Sequence, residues 1–196
     1  MYEHSVFPTS GLSHARLADQ PGMAERTLTL GSGGKLFALT GWRVAWTYGP
    51  RPLVTPLGRA HTHLTFSAPT PLQAGIAAAL RAEDGLSEAG PLFGENHARL
   101  SRALLEHTSV RSVCAAEGGY FLVAQTDGQS DVDFCKELAE TRGVVCTPMS
   151  VFYATPFAPH EPCTLVRFTV CKSREHIQRC CDALMGTATG AALAGE

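Results

Sequence analysis

From about Val110 onward the chain alternates β-favouring runs with helical patterns, and this alternation most narrows what it can fold into. Gly118-Gly119-Tyr120-Phe121-Leu122-Val123-Ala124 reads as a strand. Residues 131–142 read as a helix whose apolar face holds Val132, Phe134, Cys135 and Leu138. Val144-Val145-Cys146 and residues 165–170 read as further strands, and Ser173 is placed to cap a last helix running through Leu184. Strands alternating with helices predict an α/β fold.

The earlier part is read the same way. Residues 1–25 are irregular, punctuated by Pro8, Gly11, Pro21 and Gly22. Arg26-Thr27-Leu28-Thr29-Leu30 alternates as a strand does and runs into the turn Gly31-Ser32-Gly33-Gly34, and a second strand over residues 41–48 stops at Gly49-Pro50. A short helix, disturbed by Pro52 and Pro56, is expected before Pro69. Thr70 is then the expected N-cap and Pro71 the first residue of a helix that continues through Leu80. Residues 96–107 are helical again, with Leu100, Leu104 and Leu105 on one face. At 196 residues and 44% hydrophobic content, the chain can bury a real core.

Composition excludes several classes. A net charge of −2, with the sixteen basic residues scattered, gives no electrostatic reason to expect nucleic acid. No apolar run approaches the roughly 20 residues of a membrane span. The opening MYEHSVFPTS lacks the basic and apolar regions of a secretory signal, and its first fifteen positions are poor in arginine. Seven cysteines without a CxxC spacing fit neither a zinc knuckle nor a redox motif. They read as small core residues in a reducing compartment, with the cytoplasm as the default and mitochondria the other location open. His61 and His63 have no third ligand nearby in sequence, so no metal is expected; they read as helix-surface residues, and Trp42 and Trp46 as core.

Lys35 carries the chemistry. It follows the glycine-rich turn, with Ser32 ahead of it and Arg43 behind. An amine held beside a hydroxyl and a guanidinium suits a cofactor bearing an aldehyde and a phosphate, which is the donor set that pyridoxal 5′-phosphate requires. Two other glycine-loop readings fail. A nucleotide P-loop needs a glycine where Thr29 stands and a Ser or Thr where Leu36 stands, and no GxGxxG opens a helix here. A surface lysine after a flexible turn remains open on these residues alone.

Four motifs in order change that balance. Ser32-Gly33-Gly34-Lys35 with Thr40-Gly41-Trp42-Arg43, then residues 68–73 (APTPLQ), Glu117-Gly118-Gly119-Tyr120-Phe121-Leu122, and Leu165-Val166-Arg167-Phe168 resemble the class I/II aminotransferases of fold type I. Within them the chain is most similar to the kynurenine–oxoglutarate and glutamine transaminase K branch, with its methionine-type relatives. The resemblance implies the cofactor pyridoxal 5′-phosphate, amino acid and 2-oxo acid substrates, and a homodimer. It implies that Lys35 is the Schiff-base lysine and moves the substrate Cα proton, and that Ser32 and Arg43 bind the cofactor phosphate. It further implies that Tyr2 hydrogen-bonds the cofactor's ring oxygen, that Arg167 grips the substrate α-carboxylate, and that Phe66 reaches the neighbouring subunit's substrate pocket. Gly33, where the family often has a larger residue, and Pro56, in a usually helical segment, depart from the pattern.

The resemblance runs from Tyr2 to about Leu184 and corresponds to the C-terminal half of the family's chain. The family's acidic partner of the pyridine nitrogen would fall before Met1. The family's other, N-terminal half also carries the aromatic stacked on the ring, the asparagine at its oxygen and a glycine-rich phosphate turn. The expected organisation is residues 1–72 as the C-terminal part of the large cofactor domain, 73–108 as connecting helices, 109–187 as the small α/β domain, and 188–196 as a disordered tail. Two functions follow: an aminotransferase with cysteine-conjugate β-lyase side activity, or a catalytically inactive fragment or truncated gene product, at most a dimerisation module.

Overall fold

In a computed structural model, residues 2–82, 89–155, 157–158 and 161–187 are described. The expected tail at 188–196 lies outside them. The chain forms two compact units, one of Met1–Val6 with Leu12–Glu88 and the other of Phe7–Gly11 with Ala89–Glu196. Both mix helices and strands, in keeping with the α/β expectation. Among the described residues no helix is long and apolar enough to cross a membrane.

The first unit is built on two short antiparallel strands, β1 (Thr29–Ser32) and β2 (Ala45–Tyr48), in the register Gly31↔Trp46 and Ser32↔Ala45. The glycine run is therefore not a loose turn. Gly31 and Ser32 complete β1, and Gly33–Leu36 forms a single helical turn, α1. Space explains this: a Cβ on Gly31 would stand 2.2 Å from the Trp46 indole, and one on Gly33 would stand 2.4 Å from Ile76 Cδ1. Trp42 likewise covers Gly75, where a Cβ would meet its ring at 2.9 Å. Strand β2 is shorter than expected because Thr40–Trp42 forms a 3-10 turn.

The proline-disturbed segment is a continuous 14-residue helix, α2 (Arg51–Leu64), with one proline in its first turn and Pro56 inside. It buries none of its residues, and His61 and His63 are exposed on it. Helix α3 (Thr70–Ala79) follows, but its cap is Pro69; Thr70 is already helical and makes no capping hydrogen bond.

The second unit is a four-stranded antiparallel sheet in the order β3-β4-β6-β5, formed by Val110–Val113, Phe121–Thr126, Leu165–Thr169 and Thr147–Pro148 respectively. Leu122, Ala124 and Thr126 on β4, and Val166 and Phe168 on β6, point into the core by the period-two alternation of strands. Helix α4 (Ala89–His107) begins earlier than expected and packs Leu100 and Leu104, both essentially inaccessible, into that core. Helix α5 (Asp131–Arg142) has the expected bounds, set by the Ser130 hydroxyl accepting from Asp133 N and by Gly143 in the left-handed conformation, φ 66°. Val132, expected on its apolar face, is instead exposed. Helix α6 (Arg174–Leu184) is capped by Ser173, which accepts from His176 N.

Val144–Cys146 does not form the expected strand. Val144 N turns back to Leu138 O at 3.4 Å and Val145 is 81% exposed, so only Thr147 and Pro148 reach the ladder. Cys163 and Cys181 are buried, and Cys135, Cys146, Cys171 and Cys180 pack against the core, as expected of small core residues; Cys114 is exposed.

Asn96, 1% exposed, ties α4 to the exit of β6: its Nδ2 donates to Val170 O at 2.9 Å and Lys172 O at 2.8 Å. Asn96→Leu strands the buried carbonyl of Val170 and removes the bond to the carbonyl of the exposed Lys172, and should cost about 1–3 kcal/mol by urea unfolding. His97, packed on Phe7 at 5.6 Å between centroids, has its Nε2 buried without a hydrogen-bond partner, and burial lowers its pKa below the ordinary imidazole value. The unfolded chain therefore binds the proton more readily, so this residue's contribution is present above the ordinary value of 6.5 and is lost as pH falls below it. His97→Leu should flatten the acid limb of a stability-versus-pH curve. Gly31→Ala should destabilise the first unit by about 1–3 kcal/mol through the clash with Trp46, read as a lower midpoint in the same unfolding assay.

Candidate functional site

The connection between β1 and β2 carries Ser32, Lys35 and Arg43. Ser32 is the last residue of β1, opposite Ala45, and the next amide, Gly33 N, donates to Val44 O at 3.1 Å. The ladder thus closes the connection at its base and brings Arg43 back beside the turn that bears Lys35. Close backbone approach holds the turn: a Cβ on Gly34 would sit 3.1 Å from Thr40 Cα and 3.5 Å from Ser32 Oγ. Ser32 is extended at the N-terminus of α1, and its hydroxyl makes no capping bond there. The Arg43 side chain is exposed, with Nη1 donating to Thr40 O at 3.2 Å.

The segment at residues 2–5 lies against the same turn. Lys35 Nζ stands 5.8 Å from the centroid of the Tyr2 ring. Ser5 fixes Tyr2 from below, its Oγ and N both bonding to Tyr2 O at 2.8 and 3.0 Å. His4 hydrogen-bonds the Lys35 backbone; burial lowers its pKa, while Glu3 and that hydrogen bond act in the opposite direction. The structure thus brings Tyr2, Ser32, Lys35 and Arg43 into one neighbourhood of the first unit. Phe66 is not part of it: it stands 78% exposed just beyond α2, its N bonded to His61 O at 3.1 Å.

Backbone strain marks the same residues. Among the described residues four non-glycines have positive φ: Tyr2 at 68°, Ala38 at 56°, Arg43 at 54° and Phe66 at 63°. Three of the four are residues singled out in the sequence. The left-handed conformation costs a bulky L-residue roughly 1–2 kcal/mol, so a glycine would be the cheaper occupant at each. Such outliers concentrate where side-chain placement matters more than local stability.

In the second unit, Arg167 sits on β6 between Val123 of β4 and Thr147 of β5. The alternation that sends Val166 and Phe168 inward puts Arg167 on the other face. Its guanidinium lies over the Phe121 ring at 4.1 Å and the Phe152 ring at 4.5 Å. No carboxylate among the described residues pairs with it. The two rings give the cation aromatic neighbours in place of a carboxylate.

The donor set suits an aldehyde-bearing phosphate cofactor: an amine at Lys35, a phenol at Tyr2, a hydroxyl at Ser32 and a guanidinium at Arg43, around a glycine turn too tight for added side chains. Sequence reasoning missed His4 and the aromatic clamp of Phe121 and Phe152. His4 stands two positions from Tyr2 and Phe121 lies inside a quoted motif, so both were within reach; Phe152 carries no local signal. Among the described residues no cluster of His, Cys, Asp or Glu could hold a metal ion.

The profile of the family "Aminotransferase class I and II" matches residues 1–184. The chain is 35% identical over 188 residues to the methionine aminotransferase of Escherichia coli, covering 94% of this chain and 47% of that protein. It is 30% identical to the kynurenine–oxoglutarate transaminase of Dictyostelium discoideum, covering 94% and 46% respectively. The crystal structure of N-succinyldiaminopimelate aminotransferase from Mycobacterium tuberculosis superposes with a TM-score of 0.81 at 34% identity, over 95% of this chain and 48% of that one. The chain spans about half the length of the curated relatives it matches. It belongs to the class I and II aminotransferases.

Proposed function

We propose that this chain carries the amine, the phosphate anchor and the carboxylate clamp of a pyridoxal 5′-phosphate-dependent aminotransferase. That enzyme moves an amino group from an amino acid of the kynurenine, glutamine, methionine or aromatic type to a 2-oxo acid. The observation that supports this most is the gathering of Lys35, Tyr2, Ser32 and Arg43 around one glycine turn, with strained backbone at two of the four. In this reading residues 1–72 belong to the large cofactor domain, 73–108 connect, and 109–187 form the small domain.

When bound, the cofactor supplies the aldehyde that carries the amino group and an electron sink for the charge left at the substrate Cα. The Ser32 hydroxyl and the Arg43 guanidinium hold its phosphate by charge-assisted hydrogen bonds. With the cofactor bound, the Lys35 amine would be the group that holds its aldehyde and the base that would move the substrate Cα proton. The Tyr2 phenol hydrogen-bonds the cofactor's ring oxygen. His4 fixes the Lys35 backbone, which limits where the amine can reach. Arg167 receives the substrate carboxylate, with Phe121 and Phe152 as its aromatic neighbours. Phe66, exposed at the end of α2, extends toward a substrate pocket across a homodimer. The same deprotonated Cα could expel a β-substituent, so a cysteine-conjugate β-lyase side activity belongs to this reading.

A second reading, a chain without turnover of its own that serves at most in dimerisation, is favoured by α2, which buries no residue. A labelling experiment separates the two. The chain has three lysines, at 35, 136 and 172. Borohydride reduction in the presence of pyridoxal 5′-phosphate should place the label on Lys35, and Lys35→Ala should abolish it, as read by peptide mass mapping. Equal labelling of all three lysines would sink the cofactor site.

A further inference from the structure

Outside this site, two thiols face each other. Cys135, on α5, and Cys146, on the segment entering β5, bring their Sγ atoms to 3.2 Å, and both are free. The local architecture builds this approach. Gly143 ends α5 in the left-handed conformation and turns the chain back along the helix. One turn of helix away, buried Asp131 holds the same returning segment, its Oδ2 accepting from Ser150 N at 2.7 Å. With the Val144 N to Leu138 O bond, three contacts hold the segment to α5, and one of them is sulfur to sulfur.

We propose that Cys135 and Cys146 are a covalent modification site: a thiol pair that an oxidant of the peroxide class converts to a reversible disulfide. The sulfurs need to approach by only about 1 Å to reach the bonding distance of about 2.05 Å, a movement within the reach of side-chain rotation. In the first step one thiol loses its proton and its sulfur attacks the peroxide O–O bond, giving a sulfenic acid and one water. The second sulfur then attacks the sulfenic sulfur, the S–S bond forms, and the hydroxyl leaves with the second thiol's proton as another water. The two sulfurs together lose two electrons and the peroxide gains two; an external dithiol reverses the change by exchange.

The surroundings set the rate. Burial raises both thiols, and Cys146 is pushed up strongly, with Cys135 and Cys180 adding to the rise. The reactive thiolate is therefore scarce at neutral pH, and the reaction speeds up as pH rises. Cys146 directly precedes Thr147, which is registered opposite Arg167 on β6. The disulfide would therefore clamp the β5 edge beside that arginine onto α5. This follows from the thiol geometry alone and holds whether or not Lys35 binds a cofactor.

The test uses the whole reduced chain, treated with hydrogen peroxide at mildly alkaline pH and mapped by tryptic digestion. Trypsin cuts after Lys136 and Arg142, so the bond would join two otherwise separate peptides. The expected result is a linked pair containing Cys135 and Cys146, lighter by two hydrogens than the sum of its parts and released by dithiothreitol. The link should be absent in Cys135→Ser and Cys146→Ser and kept in Cys114→Ser. In unfolding urea, where proximity is lost, the Cys135–Cys146 link should fall on the order of tenfold as a share of all cross-links formed. The two peptides, residues 112–136 and 143–167, also hold Cys114 and Cys163, so fragment-ion sequencing of the linked wild-type pair locates the bond, and the outcome does not depend on the variants folding. Sulfinic acid at either position without a cross-link, a bond from Cys146 to Cys180, or an undiminished share of the Cys135–Cys146 link in urea would overturn the proposal.

Discussion

The side-chain amide of Asn96 holds the second unit together at the place where its layers meet. One nitrogen, buried on α4, satisfies the carbonyls of Val170 and Lys172, where β6 ends and the chain turns toward α6. Without that bond the buried carbonyl of Val170 would face the core without a partner from α4. Strand β6 is bonded along one edge by β4 and along part of the other by β5. Arg167 rides on this fixed element, so its direction is set by the sheet and not by its own rotamer preferences. Phe121 and Phe152 then hold the guanidinium in place.

The first unit solves the same placement problem with strain and close packing. Its glycines are occupied space: Trp46 lies over Gly31, Ile76 over Gly33, and the backbone at Thr40 against Gly34. Around this packed turn, Tyr2 and Arg43 accept left-handed backbone that glycine would adopt more cheaply. Neither feature improves the stability of the unit, and both confine the direction of groups around Lys35. The two units therefore position chemistry by different means, one by a ladder and one by crowding.

Much of this was legible in the sequence where local chemistry decides. The Ser130 and Ser173 caps, the Gly143 stop and the β6 alternation are each set by residues within one turn or one strand, and residues 131–142 and the Ser173-capped helix appeared as read. The same holds for Lys35, Ser32 and Arg43, which lie within a dozen positions of one another. Readings failed where a distant partner decides. Val144–Cys146 has the β-propensity of a strand, but the closing turn of α5 captures Val144 and the ladder begins later. The glycine run looked like slack because the indole and the isoleucine that fill it come from residues 46 and 76. The aromatic clamp on Arg167 was invisible for the same reason: Phe152 meets it only through the fold.

The alternation along β6 has a consequence for how this gene can vary. Val166 and Phe168 face the core and Arg167 faces away, so neighbouring positions have opposite requirements. Substituting one side chain alters one face. Deleting or inserting a single codon just before this strand exchanges the faces, driving a guanidinium into the core and an isolated pair of hydrophobic side chains into water. Length here is therefore counted in pairs of residues, and a lineage carrying this chain can drift in letters far more freely than in spacing.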